Sequence, residues 1–219
     1  MIPFLVDSPT ELTTAATDAL LAVAAGACLA GLLSTRPGTY RLRLWRGLFG
    51  AFAASALLGA IAHAIRMPQA VSDLLWHPLY FLLGLVLTLL AVIGLHDFYG
   101  EPSARHWAPR LLLLPALVVV VAWLGGGAFL WFVLFEAAVM LFVTLLYLRL
   151  AHWRAPGARP ILAGLLISTL AAILQACGPY VVEIIWYFDH NGIFHLVQLP
   201  GLLCFYSGAR NEISYRRVT

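Results

Sequence analysis

The chain has 219 residues, of which 62% are hydrophobic and 11% charged, with a mean hydropathy of +0.91 and a formal net charge of +3. Soluble domains carry roughly 25% charged residues, so this composition excludes a water-soluble globular domain and implies an integral membrane protein. No residue is lysine and all 13 basic side chains are arginine, which excludes a retinal Schiff base. The arginines fall in short loops, where they orient helices and form no nucleic-acid face.

A helix crosses the hydrocarbon core with about 20 mostly apolar residues. By that measure the chain is all-α, a single bundle of seven transmembrane helices spanning 13–34, 44–65, 73–96, 107–124, 128–150, 159–186 and 191–209. The stretch before the first, Met1 to Asp7, has no basic residue ahead of its apolar run and does not read as a cleavable signal. The first ten residues and Asn211–Thr219 are expected to be loosely ordered. Within the first span Asp18 reads as a local hydrogen-bonding residue. The second carries Ser55, Gly59 and His63, spaced by four and therefore on one face. The third opens with Asp73 and places His77 one turn further along the same face. Gly125-Gly126-Gly127 separates the fourth and fifth spans as a hairpin turn.

Glu136 lies about two turns into the fifth span, in an otherwise apolar run. Two readings stand for it: a protonated acid bonded to a neighbouring helix, or a proton-transfer group lining a cavity. Gln175 lies in the sixth span, and Gly178-Pro179 there and Pro200 in the seventh predict kinks. Glu183, Asp189 and His190 border the last loop as solvated charges, with His190 able to turn inward beside His195. Cys28, Cys177 and Cys204 lie in apolar runs without Cys-x-x-Cys spacing and read as small buried residues. Trp45, Trp76, Trp186 and Tyr187, near span ends, read as interfacial anchors.

Arginines set the orientation. Arg36, Arg41, Arg43 and Arg46, then Arg105 and Arg110, then Arg149, Arg154 and Arg159, and finally Arg210, Arg216 and Arg217 fall on one side, against Arg66 alone on the other. The positive-inside rule puts the first side in the cytoplasm and the N-terminus outside. His96, His106 and His152 then lie on the cytoplasmic side. His63, His77 and His195 come to a similar depth near the outer leaflet, on three helices, with Asp73 close by. Intramembrane ionisable residues tend to pair or bind ions, and imidazole with carboxylate is a zinc donor set.

Ala60-Ile61-Ala62-His63, Asp73 and Gly192-Ile193-Phe194-His195-Leu196-Val197 resemble the motifs of the superfamily that joins alkaline ceramidases, the progestin and adipoQ receptors and the Per1 proteins. That resemblance implies a seven-helix fold with a zinc ion held by three histidines near one membrane face. It also implies an aspartate and a serine that hold the water attacking a lipid amide. Gly59 stands where the pattern has its serine, with Ser55 a turn away, and Asn191 stands where it has the first histidine of the last helix. His77 or His190 is expected to supply the missing ligand. The expected set is therefore a Zn site of His63, His77, His190 and His195, with Asp73 and Ser55 as catalytic groups and Glu136 in the polar cavity.

Together these features point to a zinc-dependent, ceramidase-like hydrolase of a lipid amide or acyl bond, in a bacterial inner membrane with its site toward the outer side. The alternative is a non-catalytic membrane protein that binds a lipid or small ligand, or a helical subunit of a larger complex. A proton or ion pathway through Glu136, Asp18 and the histidines ranks last, because no polar ladder reaches the cytoplasmic side.

Overall fold

The computed structural model describes residues 4–35, 38–125 and 128–218. The first arginine, Arg36, and Gly126 and Gly127 of the expected glycine turn lie outside the described residues. The elements are α1 (Pro9–Leu33), α2 (Tyr40–Ala64), α3 (Gln69–Tyr99), α4 (Glu101–Leu111), α5 (Leu114–Gly125), α6 (Ala128–His152), α7 (Ala158–Ala176), β1 (Val181–Glu183), β2 (Tyr187–Asp189) and α8 (His190–Val218). Among the described residues, seven helical spans are long and apolar enough to cross a membrane, the fourth made of α4 and α5 together. The protein is an integral membrane protein with a seven-helix bundle.

Local chemistry sets the helix ends. Ser8 caps α1 by accepting from the Glu11 amide at 3.4 Å, with Pro9 in the first turn, and Thr39 caps α2 through the Leu42 amide at 3.2 Å. Such caps satisfy amides that have no partner inside the helix. Gly100, at φ +86°, turns α3 into α4, a backbone conformation that costs glycine little.

The larger departures from expectation fall in the fourth, sixth and seventh spans. The fourth span begins earlier, at Glu101, and breaks at Leu112–Leu113, where Pro115 has no N–H to continue the helical ladder. The sixth span stops at Ala176 and does not run to 186, because Gly178-Pro179 ends it. The β-branched run Val181, Val182, Ile184, Ile185 then folds into a β-hairpin, Val181 opposite Asp189 and Glu183 opposite Tyr187. The last helix runs on to Val218, with Pro200 inside it. Near the start of the chain, Val6 donates to the Ala64 carbonyl at 3.0 Å and the Arg66 amide to Phe4 at 2.9 Å, so residues 4–6 are tied to the α2–α3 connection; residues 1–3 of the expected loose segment lie outside the described residues.

Six helices close a ring. Each of α1, α2, α3, α6, α7 and α8 packs on the next and α8 returns to α1, while α5 leans on α3 and α6 from outside. Toward the arginine-bearing face the ring is filled by Trp45, Leu48 and Phe49 of α2, Val92 and Ile93 of α3, Val143 and Tyr147 of α6, Ile161 of α7 and Leu202 of α8. Trp45 is thus a core residue and no interfacial anchor. Cys28 is buried as expected, but Cys177 is exposed just past the end of α7.

One buried ionic network locks that end. Arg41 of α2 grips Asp97 of α3 through Nε at 2.7 Å and Nη2 at 2.8 Å, and the Tyr147 hydroxyl of α6 donates to the same carboxylate at 2.7 Å. His96 Nδ1 donates to it as well, at 3.0 Å. Removing one partner of a buried pair typically costs about 3–5 kcal/mol. Asp97→Asn is expected to lose at least ~3 kcal/mol of unfolding free energy in detergent, measured by denaturant titration, with Asp73→Asn at the exposed start of α3 near zero.

Candidate functional site

Away from that filled end, the ring encloses a cavity of about 370 Å³ lined by residues from all six ring helices. Its walls are apolar over much of their area, with Leu48, Phe52, Leu87, Leu90, Met140 and Phe205 among them. Polar groups collect toward the face where α1 begins: Asp18, His63, His195, His190, Asn191 and Gln175, with Glu136 and Ser55 also in the wall.

Asp18 and His195 form the centre. Both are buried, Asp18 at 5% exposure and His195 at 8%, and Asp18 Oδ1 lies 3.2 Å from His195 Nε2. On the other side of the ring, His195 Nδ1 meets Thr17 Oγ1 at 3.0 Å. The Thr17 hydroxyl already donates its one hydrogen to the Thr14 carbonyl at 2.9 Å, so it accepts here and Nδ1 carries a proton. The contact between Nε2 and Oδ1 therefore needs a second shared proton, on one atom or the other. Asp18 Oδ2 is buried with no hydrogen-bond partner.

That second oxygen explains Gly59. A Cβ built on Gly59 would lie 2.5 Å from Asp18 Oδ2 and 2.9 Å from its carboxyl carbon. The position that the resemblance assigns to a serine is glycine here because Asp18, reaching across from α1, occupies the space. The carboxylate cannot swing away cheaply, because its other oxygen is held by His195.

A second carboxylate–imidazole pair joins the start of α1 to the end of α2. Glu11, in the first turn of α1, accepts from His63 Nδ1 at 2.6 Å. Both ends suit their helix dipoles, an acid at an N-terminus and an imidazole at a C-terminus. His63 also meets the edge of Trp76, with ring centroids 5.6 Å apart. Trp76 belongs to the inward stripe Trp76, Leu79, Tyr80, Leu83, Leu87 and Leu90 of α3; it lines the cavity and is not a simple interfacial anchor.

The remaining expected site residues divide. Ser55 is buried in the cavity wall and donates to the Phe52 carbonyl at 2.9 Å. His190 also lines the cavity, with a buried Nδ1 that has no partner, and Asn191 accepts from Gln175 Nε2 at 2.8 Å. Glu136 lines it from α6. Asp73 and His77 stand apart from this group. Asp73 is exposed and accepts from Gln69 Nε2 at 2.7 Å, and His77 Nδ1 donates to the Asp73 carbonyl at 2.6 Å. His77 is one position off the inward stripe, a rotation of about 100° on an ideal helix, so it turns out of the cavity. Among the described residues, no three His, Cys, Asp or Glu side chains are grouped to hold a metal ion.

Asp189 is no solvated loop charge. Its Oδ1 accepts from Thr14 Oγ1 at 2.7 Å and from the Gly192 amide at 2.8 Å, which caps α8 and fastens it to α1. The family of unknown function DUF6962 matches residues 13–214, nearly the whole bundle. The chain belongs to the DUF6962 family. No curated protein and no solved structure matches it. For this DUF6962 chain the match covers Asp18, Gly59, His63 and His195 but begins after Glu11.

Sequence reasoning missed Glu11 and undervalued Asp18, although Glu11, Thr14 and Asp18 recur at steps of three and four in an apolar span. That spacing marks one polar helix face. Overpacking a tight site costs about 1–3 kcal/mol. Gly59→Ala is therefore expected to lower the melting temperature by several degrees, while Gly26→Ala, where a Cβ would meet nothing within 4 Å, leaves it unchanged or slightly higher. Thermal unfolding of both variants in one detergent checks this.

Proposed function

We propose that this protein takes a lipid acyl chain into the ring and presents the lipid's polar linkage to Asp18, His195 and His63. One observation supports this above the others: a cavity of about 370 Å³ whose walls are apolar and whose polar groups gather at one end. Ligand sites typically have volumes of about 300–1,000 Å³, with largely apolar walls and a few polar groups that fix orientation. On the positive-inside rule the arginine-bearing face is cytoplasmic, so the polar end lies toward the outer side of what we take to be a bacterial inner membrane.

The second reading is hydrolysis of that lipid's amide or acyl bond, the ceramidase-like function that the motifs suggest. The Glu11–His63 contact favours it. A carboxylate on Nδ1 fixes the imidazole's tautomer and leaves Nε2 as the lone-pair nitrogen, the arrangement that makes a histidine a general base for water or a metal ligand.

Two measurements separate the readings. A long-chain N-acyl lipid with a diazirine in its chain, photolysed in nanodiscs, is expected to label Phe52, Leu83 or Met140. Ala56→Trp, which fills the cavity, is expected to cut that labelling about tenfold, equivalent to ~1.4 kcal/mol of binding. Labelling confined to outward residues such as Val23 and Leu170 would contradict the binding reading.

Elemental analysis after purification without chelator, together with release of free fatty acid from the same lipid, decides the second reading. Zinc that is lost in His63→Ala and His195→Ala but kept in His152→Ala carries the ceramidase-like function. Turnover abolished by Glu11→Gln in the absence of zinc carries water activation by His63. Neither leaves a binding protein.

A further inference from the structure

The hairpin between α7 and α8 has two unlike sides. Strand β2 is held against the bundle: Phe188 is buried, and the Tyr187 carbonyl accepts from Thr13 Oγ1 at 2.6 Å. The turn Ile184-Ile185-Trp186 projects away, with exposures of 63%, 78% and 65%, and Val181, Val182 and Tyr187 are exposed beside it. Glu183 is the one charged residue among these outward positions. A bare apolar tip of this kind is a liability in water, and a hairpin of two three-residue strands has little stability of its own.

Helix length places this tip in the membrane's thickness. The α7 helix has 19 residues, about 28 Å at 1.5 Å per residue, whereas the hydrocarbon core is about 30 Å thick and the bilayer with headgroups about 40–45 Å. Its neighbour α6 has 25 residues and reaches about 37 Å. The chain therefore leaves α7 while still at the level of the outer boundary of the hydrocarbon, and the hairpin fills the height that α7 lacks. Leu166, Leu170 and Ile173 of α7, exposed at helical spacing, form the lipid-facing row from which the hairpin follows directly in the chain. The strands pair only along their facing edges, and their outer edges need hydrated partners, so the segment belongs at the headgroup boundary and not in the hydrocarbon interior; Trp186 and the adjoining Tyr187 suit that interface.

We propose that the tip Ile184-Ile185-Trp186 is seated in the lipid leaflet on the N-terminal face, so that the bilayer itself is the partner of the hairpin. This does not depend on what the cavity holds. The base of the hairpin runs straight into His190, which lines the cavity, so the immersed segment adjoins the cavity's polar end.

The test places an environment-sensitive NBD dye at the tip through Ile185→Cys, in a chain with Cys28, Cys177 and Cys204 replaced by serine, reconstituted in nanodiscs. The expected result is blue-shifted emission, strong quenching by lipids brominated near the headgroup end of the acyl chain, and weak quenching by aqueous iodide. Emission as in water with strong iodide quenching would overturn the proposal. So would shielding from both quenchers, which is what a second copy or another protein covering the tip would give. Where the cysteine-free chain does not fold, quenching of Trp186 by the same brominated lipids gives the same outcomes, read as the difference between the native protein and Trp186→Phe.

Discussion

A carboxylate in the middle of a lipid-embedded bundle is costly unless it is neutralised or paired, and here the pairing of Asp18 with His195 meets that need. The contact joins the first and last spans of the ring and requires glycine at position 59 of the second. It sets the polar end of the cavity. Thr17 and Thr14 hold the imidazole and the helix start around it, and Asp189 fastens α8 to α1 beside them. The α1–α2–α8 corner of the bundle is arranged so that this one acid–base pair has a place.

The two ends of the ring show two ways of burying charge. At the arginine-bearing end, Asp97 receives donors from Arg41, Tyr147 and His96, and the surrounding core is filled. Such a satisfied network rigidifies and specifies packing. At the other end Asp18 Oδ2 and His190 Nδ1 have no partner and a cavity lies against both residues. Buried polar groups left unmatched in a folded protein call for an explanation, and a ligand that brings its own donor and acceptor supplies one. The same fold thus holds a filled, ionically locked end and, opposite it, the cavity in which we propose that a ligand binds.

The seven spans were legible because a 20-residue apolar run has few alternatives in a membrane protein. The breaks were less legible. Pro115 interrupts the fourth span inside an apolar stretch that hydropathy reads as continuous, and the β-branched run after Pro179 looks as apolar as a helix end while folding as a hairpin. At the site, His63 and His195 could be placed together from topology, because both lie on helices whose ends share one face. What could not be read was rotation. Asp73 and His77 stand at the right depth but outside the cavity, one exposed and the other turned off the stripe that starts at Trp76. Gly59 looked like a lost serine, and its meaning depends on Asp18, a residue on another helix that no local pattern links to it.

The most direct measurement is a double-mutant cycle between Asp18 and His195, using Asp18→Asn, His195→Gln and the pair, with unfolding free energy in a bilayer mimetic as the readout. Residues in contact within one network couple by about 0.5–3 kcal/mol, and the coupling expected for this pair is at least ~1 kcal/mol. Additivity of the two single effects to within about 0.5 kcal/mol would mean that the pair is not what organises the cavity end of the bundle.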